Sequence, residues 1–337
     1  MVQFHHGYLM REKITRLDIE GNDFTRYKCH YNSQLLIGFL IFEILQSFKE
    51  YTFLSLSNQT NLDHLDLSDN ELTGTIPMWL VGMKIGSITF SGNDLAGSLS
   101  PRLFQSRNLW FLSLSRNFFT GQLPDNIDET PRLNVLIPSE NNFSGSIPRS
   151  IFNLFDLASL DLSCKGFSSN KFPNLSLALI PIYVDLSSNR LSGEIPLDIA
   201  MTMRVFVLSQ NELYGFCAIP QNSIDSSDLM YLDLHNNKII GEILEILFRI
   251  SSLQVLNLRN NSLKGSIPTH LSNLRNLQIL RLTTNLVGKS HLGLGNLTGM
   301  INNHATDSIL FIWLSDLQEF SALDVIWKKF NQYLVNL

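Results

Sequence analysis

The stretch Leu65–Leu80, LDLSDNELTGTIPMWL, contains one full copy of a pattern to which the chain keeps returning. The stretches NLWFLSLSRNFFTGQLPDNI (108–127) and SLQVLNLRNNSLKGSIPTHL (252–271) place Leu, Asn, Gly and Pro at the same spacing. Their shared frame is L-x-x-L-x-L-x-x-N-x-L-x-G-x-I-P. A frame that returns at a fixed interval indicates a repeat architecture, in which each copy forms one structural unit.

The asparagine of the frame measures the repeat length. Lys165 stands where one copy is expected, and Asn22 lies 48 residues before Asn70, which leaves room for one degenerate unit near Gln46. The spacing predicts about eleven or twelve units, each close to 24 residues long. The anchor asparagines from Asn70 onward are Asn70, Asn93, Asn117, Asn141, Asn189, Asn211, Asn237, Asn261 and Asn285.

Each position of the frame has a physical role. Leu65 and Leu67 alternate along a short strand, so both point inward. Asn70 follows where the chain leaves the strand, and its amide can bond the backbone of the neighbouring coil. Gly74 tolerates a positive φ, and Pro77 suits a turn or the start of a short helix. Since one coil cannot bury its own apolar face, the coils must stack.

The predicted fold class is therefore α/β. It is a single right-handed leucine-rich-repeat solenoid of horseshoe shape, with a parallel concave β-sheet and short helical or irregular convex segments. Because Lys165 cannot make the anchor bond, local disorder or a loop is expected across Gly166–Asn174. Strands are expected to centre on Leu65–Leu67, Leu112–Leu114, Leu160–Leu162, Val184–Leu186, Leu232–Leu234 and Leu256–Leu258.

The segments ELTGTIP, NFSGSIP, RLSGEIP and SLKGSIP resemble the repeat of plant leucine-rich-repeat receptor-like proteins, over roughly Ile14 to Met300. GLGNLTGM (293–300) and LDVIWKKFNQYLVNL (323–337) resemble the borders of that family's island region. The resemblance implies an ectodomain on the extracellular side of the plasma membrane, with a peptide, glycan or protein ligand and a co-receptor or adaptor kinase. The alternative is a soluble inhibitor of secreted cell-wall hydrolases, similar to polygalacturonase-inhibiting proteins.

The domain prediction has three parts: degenerate repeats without a Cys cap (1–61), the solenoid (62–300), and a truncated island-like segment (301–337). The opening MVQFHHGYLMREK has no signal-peptide pattern, and the apolar segment 35–45 is shorter than a membrane helix. Membrane attachment would thus need a family transmembrane helix that this sequence does not include. Helical spacing after the capping box Ser315–Gln318 predicts an amphipathic helix over Leu280 and Leu282.

Composition and motifs exclude several functions. A net charge of −5 and a pI near 5.9 argue against a nucleic-acid partner. Three cysteines without C-x-x-C spacing give neither a disulfide framework nor a metal site, and no cofactor motif is present. Cys217 is expected to fill the inward position held by Ile76 elsewhere. Equivalent outward aspartates follow from the LDLS frame and lack a matched histidine, so no catalysis is predicted; they are Asp66, Asp161, Asp185 and Asp233.

Five sequons fit N-x-[ST] and suggest glycosylation in a secretory compartment. The repeat is rich in Asn and Ser and also generates such sequons by accident. They begin at Asn58, Asn142, Asn174, Asn260 and Asn296.

Ligand specificity is expected from outward strand positions, since packing fixes the inward ones. Exposed aromatic residues beside cationic ones favour recognition. The sequence therefore predicts that Tyr231, His235, Arg259 and Arg281 form one patch for an anionic or peptide ligand. The alternative is that Tyr183 and Tyr231 only cover neighbouring strands. The candidate ligand-binding residues are Phe111, Tyr183, Tyr231, His235, Arg259 and Arg281.

Overall fold

The computed structural model describes the backbone of residues 16–18 and, with side chains, residues 62–78, 80–164, 166–169, 183–195, 203–217, 227–266, 271 and 273–282. Its main feature is one parallel sheet of eleven described strands, here called the concave sheet. Strands are numbered along the whole chain. The concave sheet contains β1 (Arg16–Asp18), β2 (His64–Asp66), β4 (Ser87–Thr89), β6 (Phe111–Ser113), β8 (Val135–Ile137), β10 (Ser159–Asp161), β12 (Tyr183–Asp185), β14 (Val205–Val207), β16 (Tyr231–Asp233), β18 (Val255–Asn257) and β20 (Ile279–Arg281).

Short flank strands follow the concave ones and form small parallel sheets along one side of the solenoid. Positive φ values at the frame glycines, such as 94° at Gly74 and 83° at Gly145, let the chain turn beyond these strands. The flank strands are β3 (Thr73–Gly74), β5 (Asp94–Gly97), β7 (Phe118–Gly121), β9 (Asn142–Phe143), β11 (Ser168–Ser169), β13 (Arg190–Ile195), β15 (Glu212–Phe216), β17 (Ile240–Gly241) and β19 (Ser262–Leu263).

The predicted solenoid with its parallel concave sheet is confirmed, with two differences in detail. Each of the six predicted strands begins and ends one residue earlier, so that the first inward leucine is its centre; β2, for example, is His64–Asp66. Moreover, β1 pairs directly with β2, with Leu17 opposite Leu65. The degenerate unit expected near Gln46 lies outside the described residues.

The convex side is formed by short 3₁₀ helices and irregular turns in the described coils. Ser100 caps the helix Pro101–Gln105, and Phe104 of this helix is fully buried. Helices this short cannot cover the core alone, but stacked coils place their apolar residues in one continuous core. Its inward leucines are fully buried, as Leu65 and Leu112 show.

The anchor asparagines link neighbouring coils. Asn117 Nδ2 donates to the carbonyl oxygens of Phe90 (2.8 Å), Leu114 (3.1 Å) and Ser115 (3.1 Å), while its Oδ1 accepts from the Leu95 N–H (3.0 Å). Asn93, Asn211, Asn237 and Asn261 make the same type of bond to a carbonyl of the preceding coil. The amide thus satisfies backbone groups that the turn leaves without ladder partners, as the sequence predicts.

At the coil of Lys165, a different side chain replaces part of the anchor. Cys164 Sγ donates to the Pro138 carbonyl oxygen at 3.2 Å, the position that an anchor amide would reach from residue 165. Burial raises the pKa of the Cys164 thiol to about 12, so the thiol keeps the proton that it donates. The sequence did not reveal this substitution, because the cysteine lies one residue before the expected position.

The loop or disorder expected from Gly166 onward is wrong for residues 166–169. Phe167 is fully buried and stacks on Phe143 at a centroid distance of 6.4 Å, and Phe143 stacks on Phe119 at 6.2 Å. Ser168 and Ser169 form β11, which pairs with β13. Stacked aromatic rings and flank-strand pairing maintain this coil without the anchor amide. The rest of that predicted loop, residues 170–174, lies outside the described residues.

Cys217 follows a shift in the pairing of two flank strands. The register of β13 and β15 shifts between Gly193 and Glu194, so Phe216 lies opposite Ile195. Cys217 is half-buried, as is Ile76, whose position in the repeat it was predicted to share. The repeat before it is two residues short, and the bulge accommodates that loss by moving the chain on by one residue.

Candidate functional site

The outward residues of the concave sheet form rows because its strands pair in register. The first row runs along the first residue of each strand: Ser159, Tyr183, Val205, Tyr231, Val255 and Ile279. The third row runs along the third residue: Asp161, Asp185, Val207, Asp233, Asn257 and Arg281. Neighbouring strands are about 4.8 Å apart, so each row brings residues from separate repeats into contact.

From Tyr183 to Val255 the first row is apolar and buried. Tyr183 and Tyr231 are each 5% exposed and pack in one cluster with Val205, Val207 and Val255. The expectation that these two tyrosines are exposed is therefore wrong: their rings cover the neighbouring valines, as the alternative held. Their ligand-binding role stays a prediction, and any such role would be carried by the ring edges and hydroxyl groups.

A tyrosine, an aspartate and a histidine form a hydrogen-bonded group in β16 and the turn after it. Tyr231 Oη donates to Asp233 Oδ2 at 3.4 Å, and His235 Nδ1 lies 2.7 Å from Asp233 Oδ1. The expectation that these aspartates lack a matched histidine is thus wrong for Asp233. Asp233 is 4% exposed, so it is not ordinary surface either. Its carboxylate holds the imidazole on the concave side.

Cationic residues lie on the C-terminal side of this group. Arg281 is close enough to Tyr231 for its positive charge to oppose the rise that burial causes in the pKa of Tyr231. The Arg259 N–H donates to Asn257 Oδ1 at 3.3 Å. This bond fixes the turn that contains Arg259, whose side chain is half-buried. Tyr231 and Arg281 are therefore within electrostatic range of each other, and their grouping with His235 and Arg259 in one patch stays a prediction.

Two carboxyl groups lie side by side on the N-terminal side. Asp161 and Asp185 occupy paired positions in β10 and β12. Asp185 is only 8% exposed, which corrects the interpretation of this position as routine surface. Burial and the neighbouring Asp161 charge raise the pKa of Asp185 to about 7. Burial likewise raises the pKa of Asp161, against the hydrogen bonds from Ser163.

We expect these raised values to make stability fall with increasing pH. Asp185 has a pKa of about 7 when folded and near 3.8 when unfolded, so the folded chain binds more protons between these values. The contribution of Asp185 to stability is therefore most favourable below about pH 4 and decreases as pH rises toward 7. Thermal unfolding of the wild type and of Asp185→Asn at pH 4.5 and 8 measures this, and the variant should lose less stability than the wild type. Asp125→Asn, at an exposed carboxyl, should behave as the wild type does.

Phe111 does not belong to this patch. It lies in β6, three strands from Tyr183 in β12, a separation of about 14 Å. It instead packs edge-on against Trp110, whose side chain is 41% exposed, at a centroid distance of 5.7 Å. The candidate residues thus form two separate surfaces.

Two of the five sequons lie in described residues. Asn142 is exposed in β9, and Asn260 is exposed in a turn, where its Nδ2 donates to Asn236 Oδ1 at 2.7 Å. Both side chains are accessible, and glycosylation of either remains a prediction. Asn58, Asn174 and Asn296 lie outside the described residues, as does the predicted helix after Ser315.

Within the described ranges, His, Cys, Asp and Glu side chains form no group of three or more that could hold a metal ion. The same ranges contain no helix long and apolar enough to cross a membrane.

Family models of the leucine-rich repeat match residues 223–287 and, separately, residues 61–83, 108–129 and 182–201. Receptor-like protein 13 of Arabidopsis thaliana is 34% identical over 213 residues, covering 61% of this chain and 17% of that protein. Receptor-like protein 41 of the same plant is 43% identical over 68 residues, covering 20% of this chain and 8% of that protein. The chain therefore spans less than a fifth of the length of either relative.

Solved structures also resemble this chain. The crystal structure of PEPR1–AtPEP1 superposes with a TM-score of 0.60 at 32% identity, over 68% of this chain and 32% of that one. The Arabidopsis receptor kinase HAESA, in complex with the peptide hormone IDA and the co-receptor SERK1, gives a TM-score of 0.60 at 32% identity. That match covers 69% of this chain and 39% of HAESA.

Fold, anchor asparagines and concave sheet define the chain as a leucine-rich-repeat protein. In its G-x-I-P repeats and in its sequence relatives, the chain is similar to plant leucine-rich-repeat receptor-like proteins.

Proposed function

We propose that the chain is the ligand-recognition region of a receptor-like protein and has no catalytic activity of its own. The proposal rests on the concave positions of Tyr231 in β16, Arg281 in β20, and His235 and Arg259 in the turns after β16 and β18. Aromatic and arginine side chains at the centre of a surface are typical of binding hot spots. HAESA is a structural relative solved with a peptide hormone, which supports a peptide ligand here.

The wider function follows from the family. The chain would act on the extracellular side of the plasma membrane, in plant signalling or defence. A co-receptor or adaptor kinase would pass the signal on, because the chain itself would only recognise the ligand. HAESA has SERK1 as its co-receptor in the solved complex, which supports a partner of this kind. Glycosylation at the exposed Asn142 and Asn260 would agree with this location.

Arginine substitutions on the concave face test the proposal. We expect Arg259→Ala with Arg281→Ala to weaken ligand binding by about 2 kcal/mol, or roughly thirtyfold, since arginine hot spots contribute this much. The full chain would be immobilised and exposed to the peptide fraction of plant extracellular fluid. Peptides retained by the wild type would be identified by mass spectrometry and their affinities measured by calorimetry.

Arg102→Ala is the matched control, because Arg102 is an exposed arginine on the convex side. Binding that survives the concave variants and disappears in Arg102→Ala would contradict the concave assignment. Tyr231→Phe keeps the buried ring and tests the hydroxyl group alone. Retention of a cell-wall hydrolase with loss of its activity would instead favour the inhibitor function.

A further inference from the structure

We propose that the paired carboxylates of Asp161 and Asp185 bind a basic group of the ligand, of the guanidinium type that an arginine side chain carries. The proposal rests on the ligand-recognition function and specifies the chemistry at the acidic end of the concave sheet. The basic group would lie at the opposite end of the patch region from Arg259 and Arg281, where an anionic group of the ligand is expected.

The two carboxyl groups accept hydrogen bonds from hydroxyl groups and backbone N–H groups, including a hydrogen bond from the Ser139 side chain to Asp161. Asp161 Oδ1 accepts from the Ser163 hydroxyl (2.6 Å) and N–H (3.0 Å). Asp185 Oδ1 accepts from the Ser187 N–H (2.8 Å), and Tyr183 Oη donates to Asp185 Oδ2 (3.3 Å). All these donors are neutral, whereas two adjacent carboxylates offer about eight lone pairs.

The charges that act on Asp161 and Asp185 are negative. Glu140, in the turn after β8, raises the pKa of Asp161, and each aspartate of the pair disfavours ionisation of the other. On the other side, β14 presents only Val205 and Val207, and beyond it stand Tyr231 and Asp233. The described surroundings therefore repel negative charge and supply no compensating cation. A cation from the ligand would relieve this repulsion.

A second polar group on the same face also lacks a partner. Ser159 is fully buried, and its Oγ has no hydrogen-bond partner. It lies two residues before Asp161, so both side chains project to the same face, and Ser159 pairs in register with Tyr183. Buried hydroxyl groups normally have partners, so this unsatisfied oxygen points to an absent donor.

A guanidinium fits these requirements better than an ammonium group. It carries five N–H donors in one plane, enough for two carboxylates and an adjacent hydroxyl oxygen, whereas an ammonium group is a single point of charge. Asp161 is only half-buried and gives access to the pair. Three to four strands, or about 14–19 Å, separate the pair from Arg259 and Arg281, a length that about five extended residues span.

Binding should be coupled to loss of a proton. A cation binds the ionised pair, and Asp185 ionises only as pH rises through about 7. Affinity for a basic probe should therefore increase about tenfold from pH 6 to pH 8, the range over which the ionised fraction rises by that factor. Unspecific attraction to the acidic surface would show no such step.

Calorimetry with an acetylated and amidated tetra-arginine peptide tests the proposal on the full chain at ~150 mM salt. The wild type should bind it, and Asp161→Asn with Asp185→Asn should weaken binding at least tenfold and remove the pH step. Asparagine keeps the Oδ1 acceptor, and circular dichroism confirms folding. Asp125→Asn, an exposed convex carboxyl, should bind as the wild type does. A tetralysine peptide should bind more weakly.

Absence of wild-type binding, or equal binding by the double variant, would overturn the proposal. A tetraglutamate peptide gives the parallel measurement for Arg259→Ala with Arg281→Ala. If the arginine variants lose tetraglutamate while the aspartate variants retain tetra-arginine, only this inference fails. If tetra-arginine behaves as expected while tetraglutamate binding is unaffected by the arginine variants, the recognition patch at the other end fails instead.

Discussion

Asn117→Ala is expected to destabilise the solenoid by about 3 kcal/mol, because the Leu95 N–H loses its acceptor while the Phe90 carbonyl keeps the 3.1 Å donor Asn93 Nδ2. The Leu95 N–H, in a fully buried residue, would have no acceptor, and the Phe90 carbonyl would lose its 2.8 Å donor. Urea unfolding followed by circular dichroism measures the loss. Hydrogen exchange should show faster exchange at Leu95, since the defect is local to two coils.

Asn108→Ala is the matched control for this variant. The Asn108 amide also reaches the preceding coil, but its one 3.3 Å bond to the Lys84 carbonyl lies at the surface, where water replaces it. The free energy of unfolding should change by no more than about 0.5 kcal/mol. Equal losses in both variants would mean that anchor asparagines contribute nothing beyond an ordinary surface amide.

Gly166→Ala is expected to cost about 3 kcal/mol or more and to disrupt the coil that contains it. A Cβ built at Gly166 would lie 1.8 Å from the Phe143 carbonyl oxygen, a backbone atom that no rotamer change can move away. Separating the two coils would weaken the Phe143–Phe167 stacking and the Ser168 N–H bond to the Gly145 carbonyl. The midpoint of thermal unfolding and the near-ultraviolet dichroism of the phenylalanines report the change.

Gly82→Ala serves as the control, since a Cβ there meets no atom within 4 Å. Alanine restricts the unfolded chain more than glycine does, so this variant should be neutral or more stable by about 0.4–1 kcal/mol. If Gly166→Ala unfolded at the same temperature as Gly82→Ala, the close approach of the two coils would be wrong.

The repeat frame was sufficient to predict the fold because one set of local requirements recurs in every unit. Leu65, Asn70 and Gly74 each meet a requirement that adjacent residues impose: alternation along a strand, satisfaction of a turn, and a positive φ at 94°. Repetition also fixes register, since strands of equal units pair in phase. Residues one repeat apart could therefore be placed in one row, as Asp233, Asn257 and Arg281 are.

The deviations from the frame could not be predicted from the frame itself. Cys164 replaces an anchor amide because its thiol reaches the Pro138 carbonyl from one position earlier, which depends on the path of the preceding coil. The shift that places Phe216 opposite Ile195 depends on how a short repeat meets its neighbour. Both result from contacts between units, whereas spacing describes only one unit at a time.

The sequence by itself determined the architecture, the positions of the strands to within one residue, and which side chains leave the concave sheet, because these follow from local periodicity. Only the tertiary structure decided the burial, the hydrogen-bond partners and the electrostatic interactions of those side chains. Tyr183 and Tyr231 become covered, Asp233 acquires His235 as a partner, and Asp161 and Asp185 become a pair of repelling carboxyl groups. Burial and electrostatic interaction depend on distances across strands, and those distances exist only once the coils have stacked.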